Sequence, residues 1–249
     1  MTGTMIDLEH DGVFGAYVAQ PAHGVPFRGA LIVIHEIWGL VEHTKDVADR
    51  FAAEGYLALA PDLLTRVGIT APVGEELLGI MFSPDEKVRT EGQPRLREAM
   101  SPLRAPEYAG WTVGALTACL DHLAAQPDVG GRLGVTGFCF GGSYSFALAA
   151  ADSRVRAAVP YYGSPPETAE LSRISCPVLA FYGDQDANLV DALPGVTTAM
   201  AEAGVDFTPV VYENTGHAFF NDTNARTYDA GYAADAWTKT LDFFRAHLG

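Results

Sequence analysis

The sequence predicts a single α/β domain over residues 1–249, built on a mostly parallel central sheet with helices on both faces. Two observations carry that reading. Short apolar runs of strand length alternate with longer amphipathic stretches, the pattern of strands buried on both sides and joined by covering helices. The chain has 249 residues, 48% of them hydrophobic, which is enough to wrap a sizeable core in one domain.

In chain order, Val13–Ala19 reads as an early strand. The run Ala-Leu-Ile-Val-Ile at 30–34 suits a buried strand and delivers His35-Glu36-Ile37-Trp38-Gly39 at its end. Residues 41–53 have helical periodicity and stop at Gly55, a plausible C-cap. A further apolar run at 56–60 is closed by Pro61-Asp62. Residues 63–106 break the rhythm, with Gly68, Pro72, Gly74, Pro84, Gly92, Pro94 and Pro102 interleaved with charge. Such an excursion predicts a lid or binding loop that carries some helix. Regularity returns with an amphipathic helix at 111–123 and strands at 132–136, 155–161 and 178–182. Pro194 is tolerated only in a first turn, which predicts a helix from about 193 to 203. The strand Phe207–Tyr212 and a closing helix over 228–247 complete the order.

Composition excludes several functions. A formal charge of −15 without a basic run argues against a nucleic-acid partner. An anionic substrate would need local arginines acting against the global charge. The N-terminus has no basic region followed by an apolar stretch, so no signal peptide is expected, and no apolar run is long enough to span a bilayer. Three cysteines do not make a disulfide framework, and a reducing cytoplasm is the expected setting, with a monomer as the default state. Histidines and cysteines are scattered, so no metal site and no cofactor is expected.

The sharpest chemical signal is Gly-Val-Thr-Gly-Phe-Cys-Phe-Gly-Gly at 134–142. It contains Gly137-x-Cys139-x-Gly141, a nucleophile elbow with cysteine in the place of serine. Glycine two residues before and two after removes side chains that would collide in a sharp strand-to-helix turn. The helix start would also place positive dipole beside the sulfur and favour thiolate. A small buried cysteine among packing glycines is the bland alternative. A phosphatase loop is excluded, because no arginine follows to close an anion cradle.

The elbow predicts an acid and then a histidine, each in a loop after a strand. Gly183-Asp184-Gln185-Asp186 follows the strand at 178–182, and Glu213-Asn214-Thr215-Gly216-His217 follows Phe207–Tyr212. His217 would take the thiol proton or share an ion pair with the thiolate, and Asp186 would fix its tautomer. Asp184 competes for the acid role; Asp186 is preferred as the fourth residue of the turn begun at Gly183. His35, at a strand end beside Glu36, is expected to line the site without acting as base, and Cys119 and Cys176 to be structural.

Together with His35-Glu36-Ile37-Trp38-Gly39, Gly55-Tyr56-x-Ala58-x-Ala60-Pro61-Asp62-Leu63, Tyr161-Tyr162-Gly163 and Gly216-His217-x-Phe219, these motifs resemble the dienelactone hydrolase family over nearly the whole chain. The resemblance implies an α/β-hydrolase fold and hydrolysis of a small ester or lactone through a thioester acyl-enzyme. It assigns Cys139, Asp186 and His217 as nucleophile, acid and base. It makes Glu36 the carboxylate that contacts the resting thiol and takes part in its activation, and makes the backbone N–H groups of Ile37 and Phe140 the oxyanion hole. One position departs from the pattern. Dienelactone-cleaving members carry an arginine four residues beyond the catalytic histidine, where this chain has Asn221. Arg226, or Arg66, Arg89, Arg95 or Arg97 from the excursion, would have to replace it. Trp38, Tyr144, Phe219 and Phe220 are expected to give the pocket an apolar or aromatic-tolerant wall. A broader esterase or thioesterase, or a non-catalytic ligand-binding protein on the same fold, are the rival readings.

Overall fold

In a computed structural model, which describes residues 3–249, the apolar runs of the sequence lie side by side. Eight strands form one sheet in the order β1-β2-β4-β3-β5-β6-β7-β8. They are β1 Thr4–Glu9, β2 Val13–Ala19, β3 Gly29–Ile34, β4 Tyr56–Pro61, β5 Leu133–Phe138, β6 Ala157–Tyr161, β7 Val178–Gly183 and β8 Phe207–Tyr212. β1 and β2 form an antiparallel hairpin turned by Asp11 and Gly12, both at positive φ, and β2 runs antiparallel to β4. From β4 to β8 every pairing is parallel, so the loops leaving β3 to β8 emerge along one edge of the sheet.

Nine α-helices cover the sheet among the described residues: α1 Glu42–Ala53, α2 Ala71–Met81, α3 Glu86–Glu91, α4 Gln93–Met100, α5 Pro106–Ala124, α6 Phe140–Ala151, α7 Thr168–Leu171, α8 Ala187–Glu202 and α9 Ala230–Leu248. The pleat of β3 divides the core. Ile32 and Ile34 face α5 and α6 through Leu116, Leu120 and Phe146, whereas Leu31 and Val33 face α1 and α9 through Val47, Phe51 and Phe244. Burial on both faces explains why β3 to β7 read as apolar runs, broken only by Thr136 in β5. No helix among the described residues is long and apolar enough to cross a membrane.

Three expectations change. β1 is an additional strand, at the sheet edge, where only Leu8 is buried and Met5 is exposed. The excursion at 63–106 is mainly helical. Pro72 and Pro94 stand in the first turns of α2 and α4, where a missing N–H costs nothing, and the Asp85 carboxylate caps α3 by accepting from the Lys87 amide at 2.8 Å. α8 begins at Ala187, six residues before the expected start, with Pro194 in its interior. Pro194 lies on the exposed face, so water can take the carbonyl bond that the proline ring forfeits.

Candidate active site

β5 runs straight into Cys139, the single residue between strand and helix. Its amide still donates to Tyr161 O of the neighbouring strand at 3.0 Å, while its own carbonyl already accepts from the Ser143 amide of α6 at 3.1 Å. Serving both elements forces a φ of 55° and a ψ of −111°. A non-glycine residue held at such angles stores on the order of 1–3 kcal/mol, and the surrounding packing must impose it. That packing leaves no room for side chains beside the turn. A Cβ on Gly137 would lie 2.2 Å from Gly141 O, and one on Gly141 would lie 2.3 Å from Ile34 O.

The loop after β8 brings His217 to the same edge. His217 Nδ1 meets Asp186 Oδ2 at 2.5 Å. Asp184 is engaged elsewhere: its carboxylate accepts from the Thr215 amide at 3.2 Å and pins the histidine loop. Burial of the imidazole opposes its charged form, but the bond to Asp186 and the adjacent Cys139 sulfur outweigh it and push the ring up to about 10.

Glu36 follows β3 and is buried. Its Oε1 accepts from the Tyr162 hydroxyl at 3.2 Å and its Oε2 from Asn221 Nδ2 at 2.6 Å. The Asn221 amide is itself oriented, because its Oδ1 accepts from the Thr223 amide at 3.0 Å and from the Thr223 hydroxyl at 2.7 Å. Burial, with Glu36 and Cys139 nearby, pushes the Tyr162 hydroxyl well above its ordinary value and keeps it a neutral donor. A buried carboxylate is thus held by two neutral groups. Tyr162 belonged to a recognised motif and Asn221 marked a departure from one, but their convergence on Glu36 needed the fold to become visible.

His35 does not line the cleft. It is fully buried, stacked on Phe140 with ring centroids 5.6 Å apart. Its Nε2 accepts from the Leu63 amide at 3.2 Å, which leaves Nδ1–H to donate to Glu36 O at 2.6 Å. The ring therefore ties the Glu36–Ile37 loop to the start of the helical excursion. Burial lowers its affinity for a proton. The unfolded chain takes up a proton near the ordinary value of 6.5, and the folded chain does so only at lower pH. The stability His35 contributes is therefore complete above pH 6.5 and is lost as pH falls below it. Urea unfolding between pH 7.5 and 5 should show His35→Gln with a shallower stability decline than wild type, the one-proton ceiling on the difference being about 1.4 kcal/mol per pH unit. Parallel curves would remove this role.

Ile37 and Phe140 offer two backbone N–H groups at the elbow, Phe140 as the first residue of α6. Among the described residues neither amide meets a backbone acceptor. The cleft in front of Cys139 has a volume of about 470 Å³. Its lining joins Glu36, Ile37, Cys139 and His217 to the apolar side chains of Trp38, Met81, Phe82, Leu96 and Met100, and also includes Arg97, Arg104 and Arg226. Residues of α2 and α4 thus share one cleft with the nucleophile.

Several expected pocket residues lie elsewhere. Phe219 is fully buried against Tyr162 and Tyr212, and Phe220 stacks on Phe138 in the core. Tyr144 packs on Phe140 with centroids 4.6 Å apart and is not part of the cleft lining. Arg89 donates to Ser83 O at 2.6 Å outside the cleft, Arg66 pairs with Asp11 and Arg95 with Glu76. Of the expected lining residues, Trp38, Arg97 and Arg226 do line the cleft. Arg104, Met81, Phe82, Leu96 and Met100 are additions that no spacing in the sequence marks. Among the described residues no group of three metal-ligating side chains gathers.

The sheet order, the strand-to-helix elbow and the cleft at the strand ends define an α/β-hydrolase. The model of the dienelactone hydrolase family matches residues 14–248, and the chain belongs to that family. A provisionally named carboxymethylenebutenolidase of Methylorubrum extorquens is 34% identical over 253 aligned positions, covering 95% of this chain and 78% of that protein. Protein usf of Aquifex pyrophilus is 30% identical, with 99% of each chain covered. The crystal structure of a provisionally named dienelactone hydrolase from Klebsiella pneumoniae superposes with a TM-score of 0.80 at 28% identity, covering 97% of each chain. Family and relatives make the protein a hydrolase.

Proposed function

We propose that this hydrolase cleaves a carboxylic ester or lactone with Cys139 as nucleophile and a thioester as intermediate. The observation that supports this most is Cys139, forced to a positive φ at the strand–helix junction, facing the same cleft as an imidazole bonded to Asp186. In the resting enzyme His217 carries a proton, as its raised affinity favours. Glu36 takes the thiol proton, and the thiolate attacks the substrate carbonyl. The amides of Ile37 and Phe140 hold the oxyanion. His217 gives its proton to the departing alcohol or enol, leaving the acyl group on sulfur. A water molecule then loses a proton to His217 and attacks the thioester. The acid leaves, the released thiolate recovers its proton from Glu36, and both protons are back where they began. The substrate is a small molecule, and the chemistry needs no cofactor.

Acid quenching during turnover of 4-nitrophenyl acetate tests the central step. Digestion and mass spectrometry should find an acetyl group on the peptide containing Cys139, with a nitrophenol burst equal to the enzyme present. Acetylation at another residue instead would overturn the assignment.

A further inference from the structure

His35 takes no part in the proposed reaction, yet the fold buries it completely and engages both of its ring nitrogens. An imidazole is a poor filler for such a place, because each buried polar atom needs its own partner. What its two bonds accomplish lies in the peptide they reach. The Leu63 amide donates to Nε2 at 3.2 Å, and Leu63 is itself fully buried. The Leu63 carbonyl is held in turn, accepting from the Tyr108 hydroxyl at 3.1 Å. Anchored in this way, the ring aims Nδ1–H at Glu36 O, 2.6 Å away.

Glu36 C=O and Ile37 N–H are the two ends of one peptide unit. The unit is planar and trans, so its carbonyl and its N–H point in opposite directions. Whatever fixes the Glu36 carbonyl therefore fixes the Ile37 N–H. That carbonyl accepts from two donors, His35 Nδ1 and the Gly39 amide at 3.2 Å. Both polarise the unit, and a polarised peptide is a stronger donor at its nitrogen. The same ring stacks on Phe140 at an interplanar angle of 7°. Phe140 carries the second N–H at the elbow, as the first residue of α6. One buried ring thus bears on both residues that supply those N–H groups.

We propose that His35 is a positioning residue for the oxyanion hole: by holding the Glu36 carbonyl it aims the Ile37 N–H at the reacting oxygen, and by stacking on Phe140 it sets the spacing of the two donors. This adds a residue to the proposed function and rests on that reading. His35 itself meets no substrate and moves no proton.

Two variants separate this role from packing. His35→Phe keeps a ring to stack on Phe140 but has no donor. His35→Gln lacks the ring but offers an N–H to Glu36 O and an acceptor to the Leu63 amide. On 4-nitrophenyl acetate, His35→Phe should lower kcat about 30-fold with KM within about twofold, since a misaimed donor does less harm than a deleted one. His35→Gln should recover to within about fivefold of wild type, because it restores the hydrogen bond. Iodoacetamide alkylates the thiolate by displacing iodide and forms no oxyanion. Cys119 and Cys176 are buried, so it reports on Cys139. Its rate should stay within about twofold in all three proteins, as thiolate reactivity is untouched.

Benzyl trifluoromethyl ketone reads the hole directly. The Cys139 sulfur adds to its carbonyl carbon, the C=O π pair moves to oxygen, and the adduct keeps that oxyanion. Its inhibition constant should rise in His35→Phe by the factor that kcat/KM falls. In wild type the adduct completes the chain Nδ1–H···O=C–N–H···O⁻, so the His35 Nδ1 proton resonance should move downfield as it forms. That resonance decides alone should His35→Phe not fold. An unchanged kcat in folded His35→Phe, alkylation falling in step with kcat, or an unmoved inhibition constant or resonance would overturn the inference while leaving the cysteine chemistry standing. A wild-type enzyme that 4-nitrophenyl acetate does not acetylate at Cys139 would instead sink the proposed function.

Discussion

Replacing Cys139 with alanine should lower kcat on a small activated ester by at least about 10⁴-fold, leaving only what the oxyanion amides and binding can supply. Cys139→Ser keeps a donor of similar shape but not the thiolate, and should stay far below wild type. The backbone at this position adds a second readout, independent of chemistry. Alanine still places a Cβ on a residue held at a φ of 55°, whereas glycine does not. The usual order of stability should therefore invert, with Cys139→Gly more stable than Cys139→Ala by about 1 kcal/mol in urea unfolding. Full activity in Cys139→Ala would show that another nucleophile does the work. Alanine proving the more stable variant would show that the turn is not imposed on the residue by its surroundings.

Glu36 and Asn221 should show the next largest effects. Glu36→Gln removes the proposed acceptor of the thiol proton and should cost about 10²–10³-fold in kcat/KM, in the range of a lost general base. Asn221→Asp is more diagnostic. It places a second carboxylate where Nδ2 now lies 2.6 Å from Glu36 Oε2. Two carboxylates at that separation cannot both ionise at neutral pH, so they retain a shared proton. The variant should be nearly inactive at pH 7 and recover as pH rises, because only loss of that proton lets Glu36 accept another. A purely structural role for Asn221 predicts instead a uniform loss with an unshifted pH–rate profile. That outcome would remove Asn221 and Tyr162 as the groups that position Glu36.

The sheet was legible wherever burial is two-sided. Apart from Thr136 in β5, β3 to β7 are apolar without alternation because both faces are covered, and their place in the chain follows directly from that composition. β1 escaped notice because an edge strand buries little, here only Leu8. Prolines misled in both directions. Pro72 and Pro94 counted among the residues that break the rhythm of the excursion but start helices, whereas Pro194 looked like a helix start but sits inside one. At the site, Gly137 and Gly141 were readable because backbone sterics demand them, and a demand of that kind acts within a few residues. The cleft wall was not readable. Whether Arg89 or Arg104 joins the cleft lining depends on how the helical segment from 71 to 104 rests on the sheet, which no local spacing encodes. Phe219 has the composition of a pocket residue and the location of a core one.

The residues lining the cleft are anchored very differently. Cys139, His217 and Glu36 stand on segments leaving a sheet whose central strands are wholly buried. Met81, Phe82, Leu96 and Met100 belong to residues 71–100, where Leu77 and Leu96 are the only buried side chains beyond a glycine. Openings of that segment therefore require far less free energy than openings of the sheet. Substitutions there also meet little resistance from the core. A lineage carrying this architecture can exchange one preferred ester for another by altering α2 to α4 while the reacting groups keep their places. Choice of substrate and competence for hydrolysis are separately heritable.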